Sequence, residues 1–224
     1  MEKRKIIIGT YDTALEGLWT LTSWKLGKAE ANEQYIDVPG HNGALDVSTV
    51  LTDGEPYYNS RPFEAVLESS EGTRLERKER IDNMINTLDG WRMNIILPDD
   101  PHHYINGRIR VEELYNDNAH CSVRVSATVD PWRYNIAETV VGLIATSTEQ
   151  TASLINRGRR SVVPNIVVTD GDVLLKFNTL DGEQSWGLNP GEHTLADIYL
   201  KSGAAPLVYS GEGKITLTYR EAVL

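Results

Sequence analysis

The chain has 224 residues, of which 40% are hydrophobic and 24% charged, a make-up that fits an ordinary globular protein with one large or two small domains. Its formal net charge of −10 argues against nonspecific nucleic-acid binding, because such proteins need cations that displace the counterions condensed on phosphates. A single cysteine, Cys121, excludes an intrachain disulfide, and no apolar run approaches the ~20 residues that a membrane span requires.

The N-terminal half is predicted to be rich in strands. The segment GLWTLTSWKL carries Trp and Leu at both odd and even positions, which is typical of a strand covered on two faces. Ile109 and Val111 alternate with polar residues, and so do the apolar positions from Val123 to Val129. The polar cluster YNDNAH lies between these two runs, so residues 107–130 are expected to form a β-hairpin.

One amphipathic helix is predicted over about residues 74–89. Thr73 and Glu76 have the spacing of a capping box, which satisfies free amides at a helix start, and Gly90 can close the other end in a left-handed conformation. Charged residues such as Arg77 are expected to lie largely away from the apolar face. That face is formed by Ile81, Met84, Ile85 and Leu88.

After DPWRYN (residues 130–135) the chain changes character. Short strand-like segments are separated by the turn signals DG, DG, PG and GEG, a spacing that indicates an antiparallel β-sandwich or barrel. We therefore expect a mainly β protein with two domains. Residues 1–135 form a β-sandwich or α+β domain with one helix, and residues 136–224 form an all-β domain.

No motif for catalysis, cofactor binding or metal binding stands out. The cluster PDDPHHY contains Asp99, Asp100, His102 and His103, but neighbouring side chains point in different directions, so a polar turn is the simpler interpretation. SGEGKIT lacks the spacing of a phosphate-binding loop. Cys121 lies in an alternating strand pattern, which favours a buried small hydrophobe over a nucleophile. The sequence thus predicts a protein that is not an enzyme.

The segment VPGHNGALDV is predicted to be a double turn. Pro39 and Gly40 fit the two central positions of a tight turn, in which the glycine has positive φ. Asn42 and Gly43 form a second turn pair, which leaves His41 exposed between the two reversals.

These motifs occur in a characteristic order. VPGHNGALDVSTVL is followed by YYNSRPF, the amphipathic helix with its DG turn, NGRIRVEEL and a strand that ends in DPWRYN. The succession, which covers roughly residues 1–135, resembles the distal tail protein family of long-tailed bacteriophages and of prophages in Gram-positive bacteria. Ser60 separates Asn59 from Arg61, whereas the family more often has Asn and Arg adjacent. LNPGEHTL and ITLTYREAVL resemble the family's galectin-like C-terminal β-sandwich more loosely.

The resemblance implies a structural role in a virion tail. Distal tail proteins form a six-fold ring through their N-terminal domains at the end of the tail tube, and the ring joins the tube to the tail tip or baseplate around the DNA channel. The implied partners are five further copies, the tail tube protein, a tail-tip protein, and a tape-measure or receptor-binding protein. DNA passes through without stable binding. The start MEKRKIII has too short an apolar run for a signal peptide, so synthesis in the bacterial cytoplasm is expected.

In view of this resemblance, we expect the loop residues to determine the shape of the loop and to act in assembly. Pro39, Gly40 and Gly43 set the loop, and Asp46 is expected to pair with Arg61, whose planar guanidinium suits a carboxylate. The pair would pin the loop to the following strand at or near a subunit boundary.

The alternative function is recognition of host cell-surface carbohydrate by the C-terminal sandwich. Trp186 or Tyr199 would serve as the platform on which a sugar ring stacks. Large aromatic residues more often fill the core of their own domain, and we favour that interpretation of Trp186. A galectin-like shape is no evidence of sugar binding, since fold does not carry function.

Overall fold

A computed structural model describes residues 4–50, 52, 54–179 and 181–224. The chain divides into two compact units, Met1–Arg133 and Tyr134–Leu224. Each unit has its own hydrophobic core, and the fold is mainly β with antiparallel sheets, as predicted.

The first unit is an antiparallel sheet with a helix on one face. In the described part of this unit the sheet has seven strands in the order β2-β1-β7-β8-β9-β6-β3, so that β2 and β3 are its edges. Of the two architectures that the sequence left open, this is the α+β one. The strands are β1 (Ile7–Ile8), β2 (Tyr11–Asp12), β3 (Thr20–Leu26), β6 (Arg61–Ser69), β7 (Arg92–Leu97), β8 (Asp100–Asn116) and β9 (Cys121–Val129), with a separate pair, β4 (Tyr35–Ile36) and β5 (Leu45–Asp46).

Strand β3 exposes Thr22, Ser23 and Lys25, so the prediction of a strand covered on two faces is wrong. The register of its pairing with β6 shifts between Leu21 and Ser23. A bulge of this kind adds one residue and moves all later side chains to the opposite face. For this reason Leu21, Trp24 and Leu26 all contact the same core although their positions differ in parity.

The predicted helix is present as α2, Arg74–Leu88. Both hydrogen bonds of the capping box form between Thr73 and Glu76, and Gly90 has a φ of 80°. Arg77 is not on the solvent face as predicted, because its side chain is only 1% exposed. The sequence also missed a short helix, α1 (Thr13–Glu16), which is capped by Asp12 through its side-chain oxygen.

Strand β8 begins earlier than the predicted hairpin. Only Pro98 and Asp99 form the turn after β7, and the strand starts at Asp100, so both histidines of PDDPHHY lie within it. The alternation of β9 is confirmed, with Val123 and Val125 fully buried. Cys121 is also fully buried, and burial raises the pKa of its thiol.

The second unit is a two-sheet sandwich. In its described residues the sheets have the orders β11-β18-β13-β16 and β12-β17-β14-β15, and side chains of both sheets fill one core. The turn signals of the sequence fall between its strands or at their ends. The strands are β11 (Thr139–Ile144), β12 (Gln150–Asn156), β13 (Asn165–Thr169), β14 (Val173–Thr179), β15 (Gly182–Leu188), β16 (Gly191–Thr194), β17 (Gly203–Gly211) and β18 (Lys214–Tyr219), with short end strands β10 (Arg133–Asn135) and β19 (Ala222–Val223).

Candidate functional site: an exposed arm and a basic groove

Residues 28–60 form an excursion, here called the arm, between the edge strand β3 and its neighbour β6. None of the described arm residues is buried, and residues 33–46 are all exposed. The chain leaves and returns along a short antiparallel ladder, in which Asn32 N–H donates to the Tyr57 carbonyl at 2.7 Å and Asn59 N–H donates to the Glu30 carbonyl at 2.9 Å. The arm is therefore held by its base and does not pack into the domain core.

An aromatic contact and a close backbone approach fix the base of the arm. The rings of Tyr58 and Trp132 meet edge to face at 5.4 Å. Gly27 N–H donates to the Pro62 carbonyl at 2.7 Å, and a Cβ on Gly27 would come within 2.6 Å of the proline ring. Only glycine fits there without a shift of the neighbouring strand.

The predicted double turn lies at the tip of the arm. Gly40 has a φ of 83° and Gly43 a φ of 85°, and His41 N–H donates to the Val38 carbonyl at 3.1 Å. This is the i to i+3 bond of a tight turn with Pro39 and Gly40 at its centre. His41 is exposed, as the sequence indicated, and its Nδ1 lies 3.1 Å from the Gly43 carbonyl.

The two faces of the arm differ in chemistry. In the β4–β5 pair, Ile36 lies opposite Leu45 on one face, and Tyr35 lies opposite Asp46 on the other. The Tyr35 hydroxyl also donates to Glu33 at 3.4 Å. The charges of Glu33 and then Asp46 raise the pKa of the Tyr35 hydroxyl, as expected beside a local concentration of negative charge.

The arm carries much of the exposed apolar surface and of the acidity of the chain. It contains six acids and one lysine, a formal charge of −5 out of −10. An exposed apolar patch rimmed by polar residues is typical of an interaction surface. The large apolar side chains that the arm exposes are Tyr35, Ile36, Val38, Leu45, Val50 and Tyr57.

Asp46 and Arg61 do not pair within the chain. The Asp46 carboxylate accepts hydrogen bonds from the Ser48 hydroxyl at 2.5 Å and the Ser48 N–H at 2.9 Å, which lower its pKa. Arg61 begins β6 on the inner face of the sheet and is 6% exposed, and its Nε and Nη2 have no hydrogen-bond partner among the described residues. Burial and the charge of Arg133 lower the pKa of Arg61. The sequence motif thus joined two residues that the fold separates.

A groove of about 640 Å³ lies beside the base of the arm, on the face of the sheet opposite α2. Four exposed cations and two acids, Glu64 and Asp130, line this groove. We call the groove, with its four cations, the basic groove. This groove could not be predicted from the sequence, because its cations come from three different strands, β3, β7 and β8. The four cations are Lys25, Arg92, Arg108 and Arg110.

The cations of the basic groove are only partly neutralised. Arg92 and Arg108 are directly opposite each other on adjacent strands, an arrangement that is unfavourable for like charges. Arg92 bonds Asp130 at 2.5 Å, and Arg108 donates to the Gly90 carbonyl at 2.6 Å. Arg110 and Lys25 have no ion pair or side-chain hydrogen bond among the described residues.

The PDDPHHY cluster forms an internal hydrogen-bonded group. Asp100 lies between two partners, His103 Nδ1 at 2.6 Å and Arg133 at 2.9 Å. His102 is exposed. In the part of the chain that the structure describes, no three His, Cys, Asp or Glu side chains are gathered in a metal-binding group.

In the second unit, Trp186 lies on the edge strand β15, opposite Leu175. It is partly buried and packs against the core of the sandwich, in line with the interpretation that the sequence favoured. Tyr199 lines a separate pocket of about 300 Å³ with Asn178 and Lys201, and the Lys201 ammonium lies 5.9 Å above the tyrosine ring.

No helix in the described residues is both long enough and apolar enough to cross a bilayer.

Comparison with known proteins gives a match in structure but none in sequence. No family model and no curated protein sequence matches the chain. A solved structure that does match is the crystal structure of SPP1 Dit (gp 19.1), described as a paradigm of the hub adsorption apparatus in phages that infect Gram-positive bacteria. The match has a TM-score of 0.69 at 14% identity and covers 98% of this chain and 99% of that chain. Over 98% of its length, this chain has the fold of SPP1 Dit, a phage distal tail hub protein.

Proposed function

We propose that the protein is a structural component of a phage tail. Six copies form a ring at the distal end of the tail tube and join the tube to the tail tip or baseplate around the DNA channel. The observation that carries this proposal is the match to SPP1 Dit, which extends over 98% of this chain and therefore includes both units. A match of one unit alone would suit many functions, since common folds are widely reused.

The arm supports the proposal because a ring needs two different surfaces on each copy. A closed ring is built from head-to-tail contacts, in which one surface of a copy binds a different surface of the next. The arm offers an exposed apolar surface outside the core of the first unit, and Pro39, Gly40, Gly43 and Asp46 give its tip a defined shape. In this proposal the N-terminal domain, residues 1–135, forms the ring, and the galectin-like domain, residues 136–224, lies outside it.

The charge of the chain suits a DNA conduit. Acids that line a channel repel DNA and so allow it to pass without being held. The partners of the ring are then the tail tube protein, a tail-tip protein and a tape-measure or receptor-binding protein. Its location is the virion tail tip, after synthesis in the host cytoplasm.

The ring is tested by mass and by image. We expect purified protein, alone or mixed with the tail tube and tail-tip proteins, to give particles of about 150 kDa, six times the chain mass of 25.0 kDa. Light scattering after size exclusion measures the mass, and negative-stain electron microscopy shows the symmetry. A monomeric mass of 25 kDa even with both neighbouring proteins present would contradict the proposal.

A second candidate function is sugar binding by the second unit, and the pocket at Tyr199 favours it over the other surfaces of that unit. An aromatic face beside an amide and an ammonium group suits a pyranose ring with hydroxyls. If this function is present, a glycan array probed with the full chain gives a signal that Tyr199→Ala reduces at least tenfold and Trp186→Ala leaves unchanged. No signal on the array would leave the ring as the sole proposal.

A further inference from the structure

The basic groove has an excess of positive charge that its own lining residues do not neutralise. Its four cations face solvent against two acids, and two of those cations have no side-chain partner among the described residues. The arm starts next to this groove but does not cover it, since arm residues 33–46 are exposed. An acidic, partly apolar segment is the ligand chemistry that this surface fits.

The acidic face of the arm has this chemistry. Glu33, Asp37 and Asp46 are exposed and lie within 14 residues of one another, and the arm as a whole has six acids and one lysine. Attraction between a cationic cleft and an acidic segment sets register and partner choice. The same face carries the exposed ring of Tyr35, opposite Asp46, which adds apolar area that is removed from water on binding.

The arm is also long enough to reach a neighbouring copy. The stretch from Lys28 to Gly40 can extend to roughly 40 Å at about 3.3 Å per residue. A compact unit of this size has a radius of gyration of about 14 Å. The tip can therefore extend across much of the width of a unit like its own, which a contact between adjacent copies requires.

We propose that the arm of one copy binds in the basic groove of the next, with its acidic face against Lys25 and Arg110. Repeated head to tail, this contact closes a ring. The inference rests on the proposed function and deepens it, because it names the two surfaces that meet at each subunit boundary.

A charge swap tests the contact. The groove variant carries Lys25→Glu and Arg110→Glu, and the arm variant carries Glu33→Lys and Asp37→Lys. Each variant alone places like charges at every boundary, and we expect its self-association to weaken roughly 100-fold or more. A 1:1 mixture restores opposite charges at every boundary when the two variants alternate, and a six-membered ring can close in this way. Native mass spectrometry should then show rings with three copies of each variant.

Matched controls separate the contact from a general effect of charge. Arg159→Glu and Glu212→Lys make the same changes at exposed positions of the second unit, and we expect them to leave the ring intact. A second measurement uses Asn42→Cys with Arg110→Cys. Oxidation should link separate copies into ladders, because Cys121 is buried and does not compete.

The outcomes test the contact between the arm and the basic groove separately from the formation of the ring. Variants that assemble as well as the native chain, or that the mixture fails to rescue while native rings form, overturn the contact and leave the proposed function standing. Native protein that never forms rings contradicts the proposed function instead. Intact rings that lose the tail tube or tail-tip protein in the groove variant would assign the groove to that protein. Intact rings with loss of binding to a DNA duplex would assign it to DNA.

Discussion

Replacing residues 31–58 with an Asn-Gly turn should convert the ring into monomers while leaving the first unit folded. Glu30 and Asn59 already face each other through a 2.9 Å backbone hydrogen bond, so a two-residue hairpin turn can join them. None of the described residues that the deletion removes is buried. Its largest loss inside the unit is the contact of Tyr58 with Trp132, which contributes about 0.5–1.5 kcal/mol.

The deletion should change the mass of the assembly strongly and the stability of the chain only slightly. Light scattering should report the mass of one chain instead of six, and the melting temperature should fall by only a few degrees. His41→Ala is the matched control, because His41 is exposed at the tip and its ring bonds the Gly43 carbonyl of the same loop. A deleted chain that keeps the mass of six copies would show that the subunits meet elsewhere. A loss of more than about 3 kcal/mol would show that the arm is part of the fold.

The outline of this fold could be predicted from local patterns. The helix α2 has a capping box, an apolar stripe and a closing glycine, and each of these depends on residues a few positions apart. Strand β9 alternates strictly because one of its faces is buried. The turn at Pro39 and Gly40 follows from the φ values that these two residue types allow.

What the sequence did not reveal depends on contacts between distant residues. The bulge in β3 is set by its pairing with β6, about 44 residues away, as the bond from the Thr22 hydroxyl to the Val66 carbonyl illustrates. The basic groove draws its cations from three strands that are distant in sequence, and no single strand is notably basic. The double turn was located correctly. The predicted ion pair between Asp46 and Arg61 does not form, because local sequence does not determine whether two such residues meet in the fold.

The burial of Arg77 could have been predicted from its position along α2. It precedes Ile81 by four residues and therefore lies on the buried stripe of α2, where a charged residue needs partners. Its guanidinium donates to the Gly72 carbonyl at 2.5 Å and the Asp117 carbonyl at 2.7 Å. These bonds tie the start of α2 to the turn between β8 and β9.

The two buried arginines of the first unit should respond oppositely to the same substitution. Arg77→Met leaves two carbonyl oxygens short of a charged donor, and we expect the free energy of unfolding to fall by about 3 kcal/mol. Arg61→Met removes a buried guanidinium whose Nε and Nη2 have no hydrogen-bond partner in the part of the chain that the structure describes, and which lies near the like charge of Arg133. We expect this change to raise the free energy of unfolding of the monomer by about 1–2 kcal/mol.

Urea unfolding followed by tryptophan fluorescence measures both effects, because four of the five tryptophans belong to the first unit. The arm-deleted chain is the suitable background, since it separates folding from assembly. If Arg61→Met lowers stability by more than 1 kcal/mol there, Arg61 has a partner within its own chain. If Arg61→Met stabilises the monomer yet weakens the ring of the full chain, the partner of this guanidinium belongs to a neighbouring copy. Arg61 would then act in assembly, as its motif suggested, but through a contact other than one with Asp46 of its own chain.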